Sequence, residues 1–494
     1  MASEPDSSDR AISHGEARAA ANSGTSRIRR CTRDPRLRTL LIVVAVCATL
    51  IAVRWRWNEL VGAHVPCVYY DTQIYDQIAD QPIGVGLLFA PKPLIVPLVY
   101  RLAGNDHASI VAWQENLSFV SWAVLAASLT LGLRRRWTRV LAIGVCMAFL
   151  LAPVRLGFTG SLLSESINDS LTTLVVAGAI GLVWLRGRAR RAAAIVTAVL
   201  GLCWLLTRDT NAVTAVVAAA GATIVWRGWR HRWARVAAVM ALASAAFVLW
   251  TASIPHAPLG YQHDWYARFT PRSVYPMLDN ISLRIYREHA DELPSGLRAF
   301  GGAELDVERV VRAGPEHRAA QDWLVDQGPS TYARWLLRHP LDRLRELIGA
   351  RWIALTGTKT VYMPKHWVAH GGALRQLTQQ RNLLLALLFA APVLLWRPRA
   401  DPLRGLALCL IASGLFGVAA AYYGDAAEVS RHCYGPGQQV VLGLFLALVA
   451  WLDRISPRWP GRRASPEPRA SKPLRARGAA GRQDERAELD ELGR

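Results

Sequence analysis

Two carboxylates, Asp71 and Glu165, have the type and position that group-transfer chemistry requires. Asp71 lies in CVYYDTQIYDQIAD, which predicts a short helix, and Glu165 lies in SLLSESINDSLTTLVV, where a polar stretch enters a long apolar run. A carboxylate in such a place can act as a general base towards a hydroxyl group. Simpler roles exist for both: Asp71 can cap the helix that follows it, and Glu165 can complement a helix dipole. The sequence leaves these alternatives open.

Two arginines, Arg208 in LLTRDTNA and Arg431 in EVSRHCYGPGQQ, stand beside apolar runs. The planar guanidinium group binds phosphate through parallel hydrogen bonds, so this pair indicates an anion site. Charged residues at membrane depth are costly and usually functional. The alternative is two local ion pairs, Arg208 with Asp209 and Arg431 with Glu428, which contribute little when exposed.

Helical spacing adds two residues to the candidate set. Tyr75 follows Asp71 by four positions, and Asp169 follows Glu165 by four positions. Residues four apart lie on the same face of a helix. Tyr75 and Asp169 are therefore expected to lie on the side of their helices that carries the two carboxylates.

Long apolar segments are the elements that must position these residues. Of the 494 residues, 52% are hydrophobic, and runs such as LLIVVAVCATLIAV have no polar face. A soluble helix would keep a polar face, whereas about 20 consecutive apolar residues cross a bilayer. The sequence predicts an all-α fold, a polytopic membrane helix bundle with about ten spans, near residues 38–54, 109–132, 139–156, 169–185, 192–207, 212–226, 235–253, 381–396, 404–421 and 438–453.

Arginine-rich loops predict the orientation of these spans. The chain carries 58 Lys and Arg against 37 Asp and Glu, which gives a formal charge of +21. Short arginine-rich loops stay in the cytoplasm, and threading the spans in order brings those loops and both termini to one side. The excess charge therefore predicts a multi-pass plasma-membrane protein that contacts anionic lipid, with no nucleic acid as partner.

The spacing of the spans predicts the domain organisation. The first outer loop, 55–108, contains Asp71, and its segment 84–103 is interrupted by prolines, which favours an interfacial helix over a further span. The long segment 254–380 has helical periodicity, with a helix opening at Pro340. The predicted parts are a disordered basic tail (1–37), a membrane domain of about seven spans (38–253), an extracytoplasmic helical domain (254–380), a membrane domain of about three spans (381–453) and a disordered tail (454–494).

Two of the seven cysteines, Cys67 and Cys433, fall in predicted outer loops, the first and the last. An oxidising compartment allows such a pair to form a disulfide. That bond would place the first outer loop against the last. The alternative is that both cysteines remain reduced.

The order of these motifs resembles the GT-C superfamily of integral-membrane glycosyltransferases, of the protein O-mannosyltransferase and aminoarabinose transferase type. The likeness covers residues 38–260 and 380–453. It lies in Asp71 of YYDTQIYDQIA, the run KPLIVPLVYRLAGND, Ser164-Glu165 of LLSESINDSL, Arg208 of LLTRDTNA, and Arg431 with Pro436 of SRHCYGPGQQ. Two departures stand out: Asp71 is alone where an acidic pair is usual, and His432 replaces a tyrosine.

The resemblance implies an enzyme that moves a sugar from a polyprenyl-phosphate donor to an extracytoplasmic hydroxyl of a glycan, lipid or protein. Asp71 would deprotonate the acceptor, and Glu165 would orient it. Burial would raise the pKa of Asp71, which suits a base near neutral pH. The set that binds substrate and phosphate would be Arg208, Arg431, Tyr75, Lys92 and Asp169.

The sequence shows no cofactor motif, and the departure at Asp71 leaves the use of a divalent metal open.

Three other classes of protein are alternatives to a glycosyltransferase. A polysaccharide polymerase or ligase would keep its essential residues in the large outer segment. A transporter or flippase typically shows inverted repeats and mid-bilayer charges, which the predicted spans lack, and a non-catalytic scaffold is a further alternative. The high content of Ala, Arg and Trp is typical of a GC-rich bacterial genome.

Overall fold

A computed structural model describes residues 66–90, 92–225, 232–253, 280–286, 293–298, 318–356, 402–424 and 429–455, with parts of 43–54 and 382–388. These residues are mostly helical, and across the described ranges β-pairing is limited to one isolated parallel bridge between Cys67 and Ser161. The predicted all-α class is confirmed for this part of the chain. The predicted tails at 1–37 and beyond 455 lie outside it.

Seventeen α-helices are numbered here in chain order within the described ranges. They are α1 Tyr70–Asp80, α2 Ile95–Leu102, α3 His107–Gly132, α4 Arg136–Leu150, α5 Pro153–Gly160, α6 Ser164–Trp184, α7 Gly187–Leu205, α8 Asp209–Val225, α9 Arg232–Ser253, α10 Ser295–Arg298, α11 Arg318–Asp326, α12 Gly328–Arg338, α13 Pro340–Gly349, α14 Arg351–Thr356, α15 Pro402–Gly424, α16 Val429–His432 and α17 Tyr434–Ile455. A 3₁₀ turn at Val85–Phe89 and a π-helical turn at Ile281–Tyr286 complete the described secondary structure.

Three of the described helical segments are long and apolar enough to cross a membrane: Ser164–Trp184, Pro402–Gly424 and Val429–Arg454. A fourth candidate is a pair of helices, Arg136–Leu150 and Val154–Gly160, bent by 53°. The predicted spans 38–54 and 381–396 are described only in part. The chain is thus a helical protein with membrane-spanning character.

The predicted span at 139–156 is a bent pair of helices in the structure. The apolar run of the sequence continues through Ala152 and Pro153. In the structure α4 has ended before these residues, and α5 begins at Pro153. Proline lacks the N–H that a continuous helix needs, but it suits the start of a new one. The segment 84–103 is likewise divided, and its helix α2 has only eight residues, too short to span. Pro340 does open a helix, α13, as predicted.

Helix α17 runs through the centre of the largest apolar core. Phe445 lies edge-on to Phe149, which stacks on Trp122 with 5.5 Å between ring centres. At the end of α17, Asp453 accepts hydrogen bonds from the backbone N–H of Arg134 and Arg135 and from Thr138 Oγ1 at 2.7–3.1 Å. The 22 residues of α17 extend about 33 Å. The arginine-rich turn at 134–136 therefore lies at the opposite end of α17 from Arg431.

Close packing of α15 on α17 depends on glycine at position 443. A Cβ built there would lie 2.8 Å from Ala407 O and 2.7 Å from Ile411 Cγ1. We expect Gly443→Ala to force the two helices apart and to cost about 1–3 kcal/mol of stability. The measurement is the midpoint of thermal unfolding in lipid nanodiscs. Gly144→Ala is the matched control, since nothing lies within 4 Å of its Cβ; an equal effect of both substitutions would contradict the packing account.

Candidate functional site

Five charged side chains from distant parts of the sequence meet in one group, here called the charge cluster: Asp71, Lys92, Glu165, Arg208 and Arg431. Glu165 Oε1 accepts a hydrogen bond of 2.7 Å from Arg431 Nε and lies 3.3 Å from Arg208 Nη1. Arg431 Nη2 also donates to Asp71 Oδ2, and Lys92 Nζ lies 2.8 Å from Asp71 Oδ1. Arg431 thus joins the two carboxylates.

Backbone hydrogen bonds bring the start of α1 to the start of α6. Cys67 N–H donates to Gly160 O, and Leu162 N–H donates to Cys67 O, both at 3.0 Å. Thr72 Oγ1 donates to Leu162 O at 2.8 Å. These bonds hold the first turn of α1, with Asp71, against the segment that leads to Glu165. The first loop and the head of α6 therefore face each other.

The junction of α7 and α8 supplies Arg208. Ile95 N–H donates to Leu206 O at 3.1 Å, which ties the start of α2 to this junction. Asn211 Nδ2 donates to Asn168 Oδ1 at 2.6 Å and so holds α8 to α6. These contacts direct Arg208 towards Glu165, and not towards its neighbour Asp209 as the local-pair alternative required.

His432 extends the cluster beyond its five charges. Its Nδ1 lies 2.5 Å from Arg208 Nη2. A guanidinium group can only donate, so this ring nitrogen is the acceptor in the contact.

Burial divides the cluster into a closed side and an open side. The side chain of Glu165 is 0% exposed, and those of Arg208 and Arg431 are also buried, while Asp71 and Lys92 are 14% and 23% exposed. Glu165 Oε2 and Arg208 Nη1 have no hydrogen-bond partner among the described residues. Buried polar atoms of this kind are costly unless a ligand or water satisfies them. The cluster therefore has both a donor and an acceptor available for a polar ligand.

The first turn of α1 tests the capping role considered for Asp71. Helix α1 begins at Tyr70, and Thr72 Oγ1 accepts the hydrogen bond of Tyr69 N–H at 2.9 Å, so the capping alternative for Asp71 is wrong. Burial raises the pKa of Asp71, but Lys92 and Arg431 lower it by more, and the result lies well below its usual value. The expectation of a raised pKa was therefore wrong, because two cations contact the carboxylate.

Tyr75 and Asp169 lie near the cluster but form other contacts. The Tyr75 ring is buried and packs edge-on against Tyr100, with 5.6 Å between centres. Burial, followed by the charge of Asp71, raises the pKa of the Tyr75 hydroxyl to about 12, so it stays a neutral phenol. Asp169 pairs with Arg155. Its negative charge is therefore already compensated and is unsuited to binding phosphate.

Arg155 is a site-forming residue that the sequence argument missed. It donates to Asp169 Oδ2 and, at 2.8 Å, to Gln438 Oε1, and it lies 4.2 Å above the Trp122 ring. Arg155 therefore links α5 to α3, α6 and α17. This linkage fixes the helix that carries Glu165 relative to the helix that follows Arg431. A charged residue inside an apolar run was the signal that could have identified it.

The predicted disulfide between Cys67 and Cys433 is wrong. Both residues are thiols, and Cys433 Sγ lies 3.5 Å from Val418 O. Within the described ranges, no three His, Cys, Asp or Glu side chains are grouped closely enough to hold a metal ion.

Comparison of the chain with protein-family models, with curated proteins and with solved structures gave no significant match. The likeness to the GT-C superfamily therefore rests on short sequence motifs. Four of their residues, Asp71, Glu165, Arg208 and Arg431, are far apart in the chain and lie together in the charge cluster.

Proposed function

We propose that the chain is a membrane glycosyltransferase that moves a sugar from a polyprenyl-phosphate donor to an acceptor hydroxyl at the charge cluster. The observation that carries this proposal is the pair of buried arginines, Arg208 and Arg431, held by Glu165 beside the carboxylate of Asp71. Arginines in this arrangement suit a phosphate, and a neighbouring carboxylate suits a hydroxyl. Both requirements of the reaction are met within one site.

The charge balance of the cluster favours a monophosphate donor. Lys92, Arg208 and Arg431 supply three positive charges, and Asp71 and Glu165 supply two negative charges, so one positive charge is in excess. A sugar linked to polyprenyl phosphate is a phosphodiester with a single negative charge. A pyrophosphate-linked donor carries one more negative charge, which the cluster would not neutralise.

The reaction follows from the positions of these groups. The acceptor hydroxyl gives its proton to Asp71, and its oxygen forms a bond to the anomeric carbon of the sugar. The bond between that carbon and the phosphate oxygen breaks, and its electron pair stays on the polyprenyl phosphate. Arg208 and Arg431 stabilise the charge that develops on this leaving group. Glu165 Oε2 accepts a hydrogen bond from a substrate hydroxyl.

Donor binding also activates the base. In the ligand-free cluster, Lys92 and Arg431 keep the pKa of Asp71 low, which makes it a weak base. A bound phosphate competes for the same two cations and so weakens their effect on Asp71. The pKa of Asp71 then rises when the donor is present, and proton transfer is linked to donor binding.

The membrane topology belongs to the same proposal. About ten spans with both termini in the cytoplasm place the cluster at the outer face of a bacterial plasma membrane. The position of the 134–136 turn at the opposite end of α17 supports this arrangement. In this topology residues 254–380 are extracytoplasmic, where they can select the glycan, lipid or protein acceptor.

Donor class provides the test of this function. The purified full-length chain in lipid nanodiscs is supplied with a sugar on polyprenyl phosphate or on polyprenyl pyrophosphate, together with envelope extract as acceptor. We expect sugar to leave the monophosphate donor and polyprenyl phosphate to accumulate. Turnover of the pyrophosphate donor alone would indicate a polymerase or ligase. Passage of intact donor across the bilayer, measured with the same chain in sealed proteoliposomes, would indicate a flippase.

A further inference from the structure

Helices α12 and α13 expose an apolar stripe that no described element covers. Its members are Leu337, Leu341, Leu344 and Ile348, exposed by 79%, 69%, 52% and 52%. In α13, Leu341, Leu344 and Ile348 follow each other by three and four residues, which places them on one face of that helix. Leu337 lies in the last turn of α12, before the break at His339. Exposure of this extent is typical of a surface that meets another phase or a partner.

The opposite face of α13 is fixed to the end of α15. Tyr422 Oη donates to Glu346 Oε1 at 3.0 Å, and Tyr423 Oη donates to Arg343 O. Arg284 binds Glu346 and also donates to Tyr422 O at 2.7 Å. Helix α15 is one of the three helices that could by themselves cross a membrane. Helix α13 is therefore held at the level where this span ends.

Tyrosines at that level are characteristic of the border between hydrocarbon and headgroups. Tyr422 and Tyr423 lie in the last turn of α15 and contact each other at 4.9 Å between ring centres. Helix α14, which follows α13, packs through Ala354 against Cys433 and Val418 near the charge cluster. The apolar stripe and the cluster thus lie at the same end of the bundle.

Basic residues border the stripe. Arg334, Arg338, Arg345 and Arg351 are exposed, while Asp342 is the exposed acid of α13. An amphipathic helix with an apolar face and a basic border lies in the plane of a membrane interface. Anionic headgroups are attracted to such a border. The charge pattern therefore selects a lipid surface as the occupant of the stripe.

We propose that the apolar stripe of α12 and α13 docks into the bilayer surface at the end of α15, with Leu341 and Leu344 among the acyl chains and the bordering arginines among anionic headgroups. The docked helices hold residues 318–356 against the membrane beside the charge cluster. This surface role is independent of the reaction at the cluster, so each can fail without the other.

Depth-dependent quenching tests the docking. The full-length chain carries an environment-sensitive fluorescent amino acid in place of Leu344, or in place of Asp342 as the matched control on the same helix. Both are placed in nanodiscs of phosphatidylcholine and phosphatidylglycerol with brominated acyl chains. We expect quenching by the brominated lipid to be several-fold stronger at position 344, and quenching by aqueous iodide to be stronger at position 342.

Two results would overturn the proposal. Strong iodide quenching with no effect of brominated lipid at position 344 would place the stripe in water. Protection from both quenchers would place it against protein, either a second copy or a partner. A label at position 341 repeats the test, so that poor folding of one labelled chain does not decide the outcome.

Discussion

The Asp71→Asn variant is expected to lose about 10²–10⁴-fold in the rate of sugar transfer, the contribution typical of a positioned general base. Asparagine keeps the size of the side chain and can still accept a hydrogen bond from Lys92 or Arg431. It cannot take the proton of the acceptor. The measurement is the initial rate of donor consumption by purified chain, normalised to the amount of folded protein.

Donor binding separates this catalytic effect from a loss of structure. Removing the charge of Asp71 leaves the cluster more positive, so the affinity for the anionic donor should be unchanged or higher while turnover is lost. Asp80→Asn is the matched control, because Asp80 lies on the same helix and contacts Asn105 at its exposed end. Full activity of Asp71→Asn, or equal losses in both variants, would exclude Asp71 as the base.

The pH profile gives a second measure of the same carboxylate. The pKa of Asp71 is lowered in the folded chain. The ionised carboxylate therefore stabilises the fold at pH values above 3.8, the ordinary pKa, and this stabilisation is lost as the pH falls through the lower pKa of the folded state. The acid limb of kcat/KM, which reports the free enzyme, should therefore lie below the usual aspartate range. Lys92→Gln removes one cation and should move that limb to higher pH, whereas Lys92→Arg should leave it in place. An unchanged limb in Lys92→Gln would contradict this account.

Glu165→Gln is expected to have the largest effect on stability, at about 3–5 kcal/mol, the range for breaking a buried ion pair by removing one partner. The side chain of Glu165 is fully buried and neutralises Arg208 and Arg431 together. Glutamine keeps the shape of the side chain but leaves both guanidinium groups without their shared buried counterion. The measurement is thermal unfolding of the variant in nanodiscs. Asp342→Asn, at an exposed pair with Arg345, is the control and should cost no more than about 1 kcal/mol.

A double-mutant cycle assigns this loss to the ion pair. Combining Glu165→Gln with Arg208→Gln removes the guanidinium group that pairs with no other carboxylate of the charge cluster, whereas Arg431 keeps Asp71. The double variant should therefore lose less stability than the sum of the two single variants. Simple additivity would contradict the account, because it would mean that Glu165 and Arg208 do not interact in the folded chain.

The sequence predicted the helical class and singled out the residues that meet in the charge cluster, for clear physical reasons. Long apolar runs without a polar face have few alternatives to helices in a membrane, and α6, α15 and α17 follow those runs. Charges beside such runs are costly, which singled out Glu165, Arg208 and Arg431. Their meeting in one cluster could not be derived from the sequence, since it depends on the hydrogen bonds that join residue 67 to residues 160–162.

The errors also have physical causes. The role and pKa of Asp71 depend on Lys92 and Arg431, which are distant in sequence, so local spacing suggested a cap and burial suggested a raised pKa. Helical spacing placed Asp169 beside Glu165 but could not show that Arg155, which lies in a predicted span, pairs with it. Hydropathy also continued across Pro153, where the chain starts a new helix. Tertiary contacts determine each of these features.

If the charge cluster consumes a sugar linked to polyprenyl phosphate, that lipid should build up in a strain that lacks this protein. Lipid extracts of that strain are analysed by mass spectrometry, alone and after expression of the wild-type chain or of Asp71→Asn at matched abundance. We predict that a polyprenyl-monophosphate sugar accumulates in the strain, disappears with the wild-type chain and persists with Asp71→Asn. Unchanged levels of every such lipid, or accumulation of pyrophosphate-linked units in their place, would contradict the claim.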